Sequence, residues 1–139
     1  MKKHRIVLVG GGSTWTPGIL KALTVHLDNF PIESITLYDI NEERPYIIGE
    51  FAKILFREET EGIEVIVTTD PKVAYKNVDF VFCQMRGGGY DMRSLDEKIP
   101  LSLGIIGQET CGPGGFAYGM RSIRDMIEMV NQVREISPD

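Results

Sequence analysis

Apolar residues along this chain follow two alternating periods. Ile6, Val7, Leu8 and Val9 form an unbroken, mostly β-branched run that stops at Gly10. Such a run marks a strand buried on both faces, as in a parallel sheet. Three more follow: Ile35, Thr36, Leu37, Tyr38; Val65, Ile66, Val67, Thr68; and Phe80, Val81, Phe82, Cys83. Between them the period lengthens to that of a helix. Ile19, Leu20, Leu23 and Leu27 predict a first helix opened by residues 13–17. Thr16 is its expected N-cap, and Pro17 sits in the first turn, where a missing N–H costs nothing. A second helix begins near Asn41, with Glu42 and Glu43 at its positive end. It is expected to bury Ile47, Ile48, Phe51, Ile54 and Leu55. Asp70 and Pro71 cap a short third helix over Val73, Ala74 and Tyr75.

The order β-α-β-α-β-α-β, with crossovers long enough for parallel connection, predicts a doubly wound α/β fold. After Cys83 the pattern changes. Residues 86–115 hold eight of the 15 glycines, and residues 91–103 read as a helix interrupted late by Pro100. A long last helix, about 116–136, carries Phe116, Met120, Ile123, Ile127, Val130 and Val133 on one face, which reads as core. A fifth strand is the next element such a sheet requires, so the pattern reads as interrupted at Asp139.

Composition narrows the picture. The 139 residues are 42% hydrophobic and 25% charged, ordinary for one globular domain. A net charge of -5 without a basic run argues against a nucleic-acid partner, because little counterion release is available. No apolar run approaches the ~18 residues of a membrane span, and the run after the basic start ends at Gly10, too early for a signal peptide. Two cysteines, Cys83 and Cys111, make no disulfide framework, and a cytoplasmic location is expected.

Candidate chemistry concentrates at three places. Gly10, Gly11, Gly12, Ser13 and Thr14 lie between the first strand and the first helix, the context in which a glycine turn takes a pyrophosphate on the helix N-terminus. Asp39 ends the second strand and suits the ribose hydroxyls of NAD while repelling a 2′-phosphate. Trp15 stands where the usual fingerprint has its third glycine. The plain alternative is a tight turn and a helix-capping Asp. Gln84, Met85 and Arg86 follow the fourth strand directly and are candidates for the nicotinamide side of the groove, or an ordinary surface loop. Arg86 and Arg93 are possible anion clamps, with Arg93 alternatively pairing Asp96 or Glu97 one turn on. Residues 107–115, Gly-Gln-Glu-Thr-Cys-Gly-Pro-Gly-Gly, supply Glu109 as the best acid or base. Cys111 there reads as a thiolate or as a small buried apolar residue. No Cys/His spacing assembles a metal site, His4 and His26 being remote in sequence.

These stretches, with Met92 to Glu97, Ile99-Pro100-Leu101 and Tyr118 to Ile123, resemble glycoside hydrolase family 4, the NAD- and divalent-metal-dependent 6-phosphoglycosidases, across nearly the whole chain. Cys111 resembles the 6-phospho-α-glucosidase branch (maltose-6′-phosphate type), Asn or Thr being expected there in the β branch. The resemblance implies a Rossmann-type domain like that of lactate and malate dehydrogenases, spanning 1–139, with 86–115 as its substrate-side segment. It also implies an exception to two-carboxylate glycosidases: transient oxidation at C3 by NAD, elimination, water addition and return of the hydride. On this reading Gly10, Gly11, Gly12, Ser13, Thr14, Asp39, Gln84, Met85 and Arg86 serve the cofactor. Arg93, Glu109 and Thr110 serve the phosphorylated sugar, with Glu109 assisting acid/base steps. The family's Mn2+ ligands and its catalytic Asp and Tyr belong to the C-terminal region downstream of Asp139, so the isolated chain is expected to be inactive. Homo-oligomers, dimers or tetramers, are expected. The alternatives are an NAD-dependent dehydrogenase of a small hydroxy acid and a non-catalytic NAD-binding fragment.

Overall fold

A computed structural model describes residues 2–59 and 62–138. Four strands, β1 (His4–Val9), β2 (Ile32–Tyr38), β3 (Glu64–Thr68) and β4 (Phe80–Cys83), form one parallel sheet in the order β3-β2-β1-β4. Among the described residues five helices alternate with or follow them: α1 (Thr16–Val25), α2 (Glu43–Glu59), α3 (Pro71–Ala74), α4 (Gly89–Ser102) and α5 (Gly112–Ile136). The chain divides into two compact units, Met1–Gln84 with Val133–Asp139, and Met85–Gln132. No helix among the described residues is long and apolar enough to cross a membrane.

In the first unit, β1 is hydrogen-bonded on both sides. Val9 aligns with Tyr38 of β2 and Cys83 of β4, so three strands end level with one another. Ile6, Leu8, Leu20, Ile35, Leu37, Ala52 and Phe56 form one buried cluster. Each large side chain in it is worth roughly 1.5–3 kcal/mol of apolar transfer. All four predicted strands are present. Asp70 caps α3 as expected, its Oδ1 accepting from Lys72 N at 2.8 Å.

Two first-unit expectations need correction. Thr16 is not the N-cap of α1; Trp15 holds that position without a side-chain cap. Thr16 is instead fully buried. On α2, Ile48 and Leu55 pack half-buried against the core as expected, but Ile47, Phe51 and Ile54 are exposed. The buried stripe is Pro45, Gly49, Ala52 and Phe56, whose spacing follows a helix face as well as theirs does. The two stripes lie about 160° apart around the helix, at 100° per residue. The reason is closeness of approach: a Cβ on Gly49 would run into Val67 Cγ2, so the glycine lets α2 lie against β3 without displacing that side chain.

In the second unit, α4 starts two residues earlier than the sequence suggested and contains Pro100 in its last turn. The expected core face of α5 is also corrected. Phe116, Met120, Ile123, Ile127 and Val130 are all 46% or more exposed. The half-buried stripe is Tyr118, Arg121, Ser122 and Asp125. This helix turns polar residues inward because they have partners there, described next.

Candidate functional sites

In a sheet ordered β3-β2-β1-β4, the strand order reverses at β1, and ligands of such sheets bind beyond the strand ends at that point. There the chain leaves β1 through Gly10, in the left-handed region at φ +81°. The N–H groups of Gly10 and Gly11 both donate to Tyr38 O at 2.9 Å. A Cβ on Gly11 would meet the Leu37 Cα at 2.9 Å. Gly12 N donates to Asp39 Oδ2 at 2.9 Å, and Asn41 N donates to Asp39 Oδ1 at 3.1 Å. A Cβ on Gly12 would lie 2.8 Å from that same Oδ2. The three glycines therefore let the turn lie flat against the end of β2, and the Asp39 carboxylate is tied to it. Two of its roughly four lone-pair directions are used, which leaves acceptors for two hydroxyls.

Ser13 closes the turn: its N–H donates to Gly10 O at 2.9 Å, and its Oγ accepts from Trp15 N at 3.2 Å. Thr14 is exposed. Trp15 and Ile40 are 78% and 92% exposed, so the indole at the third-glycine position causes no crowding. Gln84 completes this end of the sheet. Its N–H donates to Val9 O at 2.9 Å and its Nε2 donates to Thr16 Oγ1 at 2.6 Å, which explains why Thr16 is buried rather than capping. The structure thus brings Gly10, Gly11, Gly12, Ser13, Asp39 and Gln84 to one end of the first unit.

The second unit holds a charge cluster. Glu109 Oε2 lies 2.9 Å from Arg86 Nη1 and 3.0 Å from Arg93 Nε. That oxygen is buried and accepts no well-aligned hydrogen bond, although two guanidinium groups face it. Arg93 Nε is also 3.0 Å from Glu97 Oε1, and this hydrogen bond, then the nearby Glu109, holds the guanidinium above its usual pKa. The structural pairing considered for Arg93 is with Glu97; Asp96 goes elsewhere. Arg86 also lies over two rings, 5.4 Å from the Tyr118 centroid and 5.9 Å from that of Tyr90. Thr110 is exposed, but its backbone is packed: a Cβ on Gly115 would come within 2.4 Å of the Thr110 carbonyl carbon. Gly107 and Gly114 are equally tight, against Glu97 O and Gln108 O. Gly107, Gly114 and Gly115 thus serve close packing of the loop on α4 and α5, whereas Gly112 has open space around it and a φ of +65°.

The sequence reading missed the pairing of Asp96 with Arg121. Asp96 is nearly buried and forms a two-pronged ion pair with Arg121, Nη1 to Oδ1 at 2.9 Å and Nη2 to Oδ2. That hydrogen bonding, against the opposing cost of burial, holds the Asp96 carboxyl below its usual range. Twenty-five positions separate the two residues, so no helix period signals the pair.

Among the described residues no group of three or more His, Cys, Asp or Glu side chains is placed to hold a metal ion. Both cysteines are exposed, which corrects the reading of Cys111 as a small buried residue. A groove of about 420 Å³ by Lys2, Arg5, Glu33 and Asp79 lies at the start of β1, the end opposite the glycine turn. Two of the cations that line it are paired, Lys2 with Asp79 at 2.6 Å and Arg5 with Glu33 at 2.7 Å.

The model of the family 4 glycosyl hydrolases matches residues 5–139. The chain belongs to this family. Maltose-6′-phosphate glucosidase MalH of Clostridium acetobutylicum is 50% identical to this family 4 chain over all of it, and over 32% of its own length. A 6-phospho-α-glucosidase from gut microorganisms, solved in complex with NAD and Mn2+, matches with a TM-score of 0.93 at 55% identity, covering 99% of this chain and 31% of its own. The 6-phospho-β-glucosidase from Thermotoga maritima, solved with NAD and glucose-6-phosphate, matches with a TM-score of 0.89 at 36% identity, covering 98% and 32%. The chain spans about a third of the length of the relatives it matches.

Proposed function

We propose that this family 4 chain is the NAD-binding region of a cytoplasmic, oligomeric 6-phospho-α-glucosidase, acting on 6-phospho-α-glucosides such as maltose 6′-phosphate. The observation that carries the cofactor reading is the bond from Gly12 N–H to Asp39 at the end of β1. The α preference is supported by 50% and 55% identity to α-specific relatives against 36% to a β-specific one.

The residues fit the cofactor. Gly10, Gly11, Gly12, Ser13 and Thr14, with the N-terminus of α1, suit the pyrophosphate, since no side chain but Ser13 and Thr14 stands on the turn. Asp39 accepts from the adenosine ribose and repels a 2′-phosphate. Gln84, Met85 and Arg86 serve the nicotinamide side. When bound, NAD supplies reversible hydride acceptance from the sugar, so that hydrolysis results with no net oxidation. Arg93, Glu109 and Thr110 bind the phosphorylated sugar. Glu109 is the group here that is suited to proton transfer, and its Oε2 faces the Arg86 and Arg93 guanidinium groups. The described residues do not make a site for a divalent metal, and no step through one is derived. The isolated chain is therefore expected to bind nucleotide without hydrolysing glycoside.

Calorimetric titration tests this. NAD is expected to bind, NADP at least tenfold more weakly, and Asp39→Ala to lose about tenfold in NAD affinity, the equivalent of about 1.4 kcal/mol. Equal affinity for both nucleotides, or none for NAD, refutes the cofactor assignment.

A further inference from the structure

Two polar side chains of α5 hold the segment that carries Arg86. Tyr118 OH donates to Met85 O at 3.2 Å, and Arg121 Nε donates to Gly87 O at 3.4 Å. The carbonyls on either side of Arg86 are thus both held from one helix. Arg121 is itself locked by the fork with Asp96 on α4. Gly87 is buried, and a Cβ there would stand 3.2 Å from Asp125 Oδ2 and 3.6 Å from the Arg121 backbone, so the segment lies directly on α5. Gly88, at φ +81°, then turns the chain into α4. With its backbone fixed on both sides and its guanidinium over the Tyr118 ring, Arg86 has little freedom except to face Glu109.

We infer that Tyr118 and Arg121 are positioning residues, which act through the Met85 and Gly87 carbonyls to hold Arg86 and, through it, the Glu109 carboxylate for the phosphorylated sugar. Neither needs to touch the sugar. This explains why α5 turns Tyr118 and Arg121 inward while leaving its apolar stripe outside. A carboxylate between two guanidinium groups stays where those groups are held. If Arg86 swings away, Glu109 keeps only Arg93, which it shares with Glu97. The inference rests on the reading that Arg86 and Glu109 belong to the sugar and cofactor machinery.

The test uses the full-length enzyme with NAD and Mn2+ supplied, and three readouts: glucose 6-phosphate affinity by calorimetry, kcat and KM on a chromogenic 6-phospho-α-glucoside, and thermal melting. Tyr118→Phe keeps the ring over Arg86 and removes one hydrogen bond. Arg121→Lys keeps the charge facing Asp96 and removes the fork and the Nε donor. Each is expected to weaken glucose 6-phosphate binding about fivefold, the worth of one hydrogen bond of about 1 kcal/mol. In Tyr118→Phe the melting temperature is expected to stay within a few degrees. Unchanged affinity and kinetics in both variants, with Arg86→Ala impaired, overturns the positioning role and leaves the proposed function standing. An unimpaired Arg86→Ala overturns the reading of the cluster itself. Lost binding that tracks lost melting temperature in both variants makes the two residues merely structural and also overturns the inference.

Discussion

The two units are held together by different physics. In the first, a parallel sheet supplies the frame, and eight residues from Ile6 to Phe56 close one apolar cluster. Its functional turn is an outgrowth of that frame, with glycines pressed against strand backbone. In the second, among the described residues, the only buried large apolar side chain is Met129, at 8% exposure. Order there comes from ion pairs, from carbonyls held by side chains, and from glycines that admit a loop between two helices. Most large apolar side chains of α5 meanwhile, Phe116, Met120, Ile123, Ile127 and Val130 among them, are exposed. A covalently continuous chain can therefore build one site on hydrophobic burial and another on charge. The second kind is the more vulnerable to single polar substitutions, because an ion removed from a buried pair leaves its partner uncompensated.

The largest expected effect lies in the first unit. Phe56→Ala, at a side chain 2% exposed, is expected to cost about 3–5 kcal/mol in urea denaturation. Asp96→Ala is expected to cost about 3 kcal/mol in the second unit, because it strands Arg121, and the loss is to appear first in hydrogen exchange of α4 and α5. Equal loss across β1 and β2 amides would show that the two units do not open separately. The same pair has a pH signature. Asp96 is held below its usual range by Arg121, so its contribution is complete above the ordinary carboxylate pKa of about 4 and disappears as pH falls through the lower folded value. Asp96→Asn is expected to flatten the acid limb of the stability curve. Smallest of all, Phe116→Ser is expected to change stability of this chain by less than about 0.5 kcal/mol, against several for Phe56→Ala, since Phe116 is 71% exposed. A cost comparable to that of Phe56 would mean that the α5 stripe is covered in solution.

Much of the first unit was legible from period and punctuation. Strands are short continuous runs, and a glycine turn followed by a helix and answered by a carboxylate after the next strand leaves a local trace. Gly12 and Asp39 were each readable as the ends of neighbouring parallel strands, but the hydrogen bond between them was not. Thr16 was misread because its Gln84 partner lies 68 positions away, beyond any capping pattern. In the second unit the residue types were visible, Arg86, Arg93 and Glu109 among them, but their pairing was not. Several carboxylates compete for each guanidinium, and the winner is set by which helix faces which.

By itself, then, the amino-acid sequence determined the parallel α/β frame, the glycine turn, the Asp39 carboxylate and the family. Tertiary structure alone decided which stripe of α2 and α5 turns inward and which charges meet. The physical reason is that periodicity counts apolar side chains, whereas a helix docks where its backbone approaches closest and its polar groups find partners. On α2 that face is marked by Gly49, and on α5 by Tyr118 and Arg121, none of which a hydrophobic pattern selects.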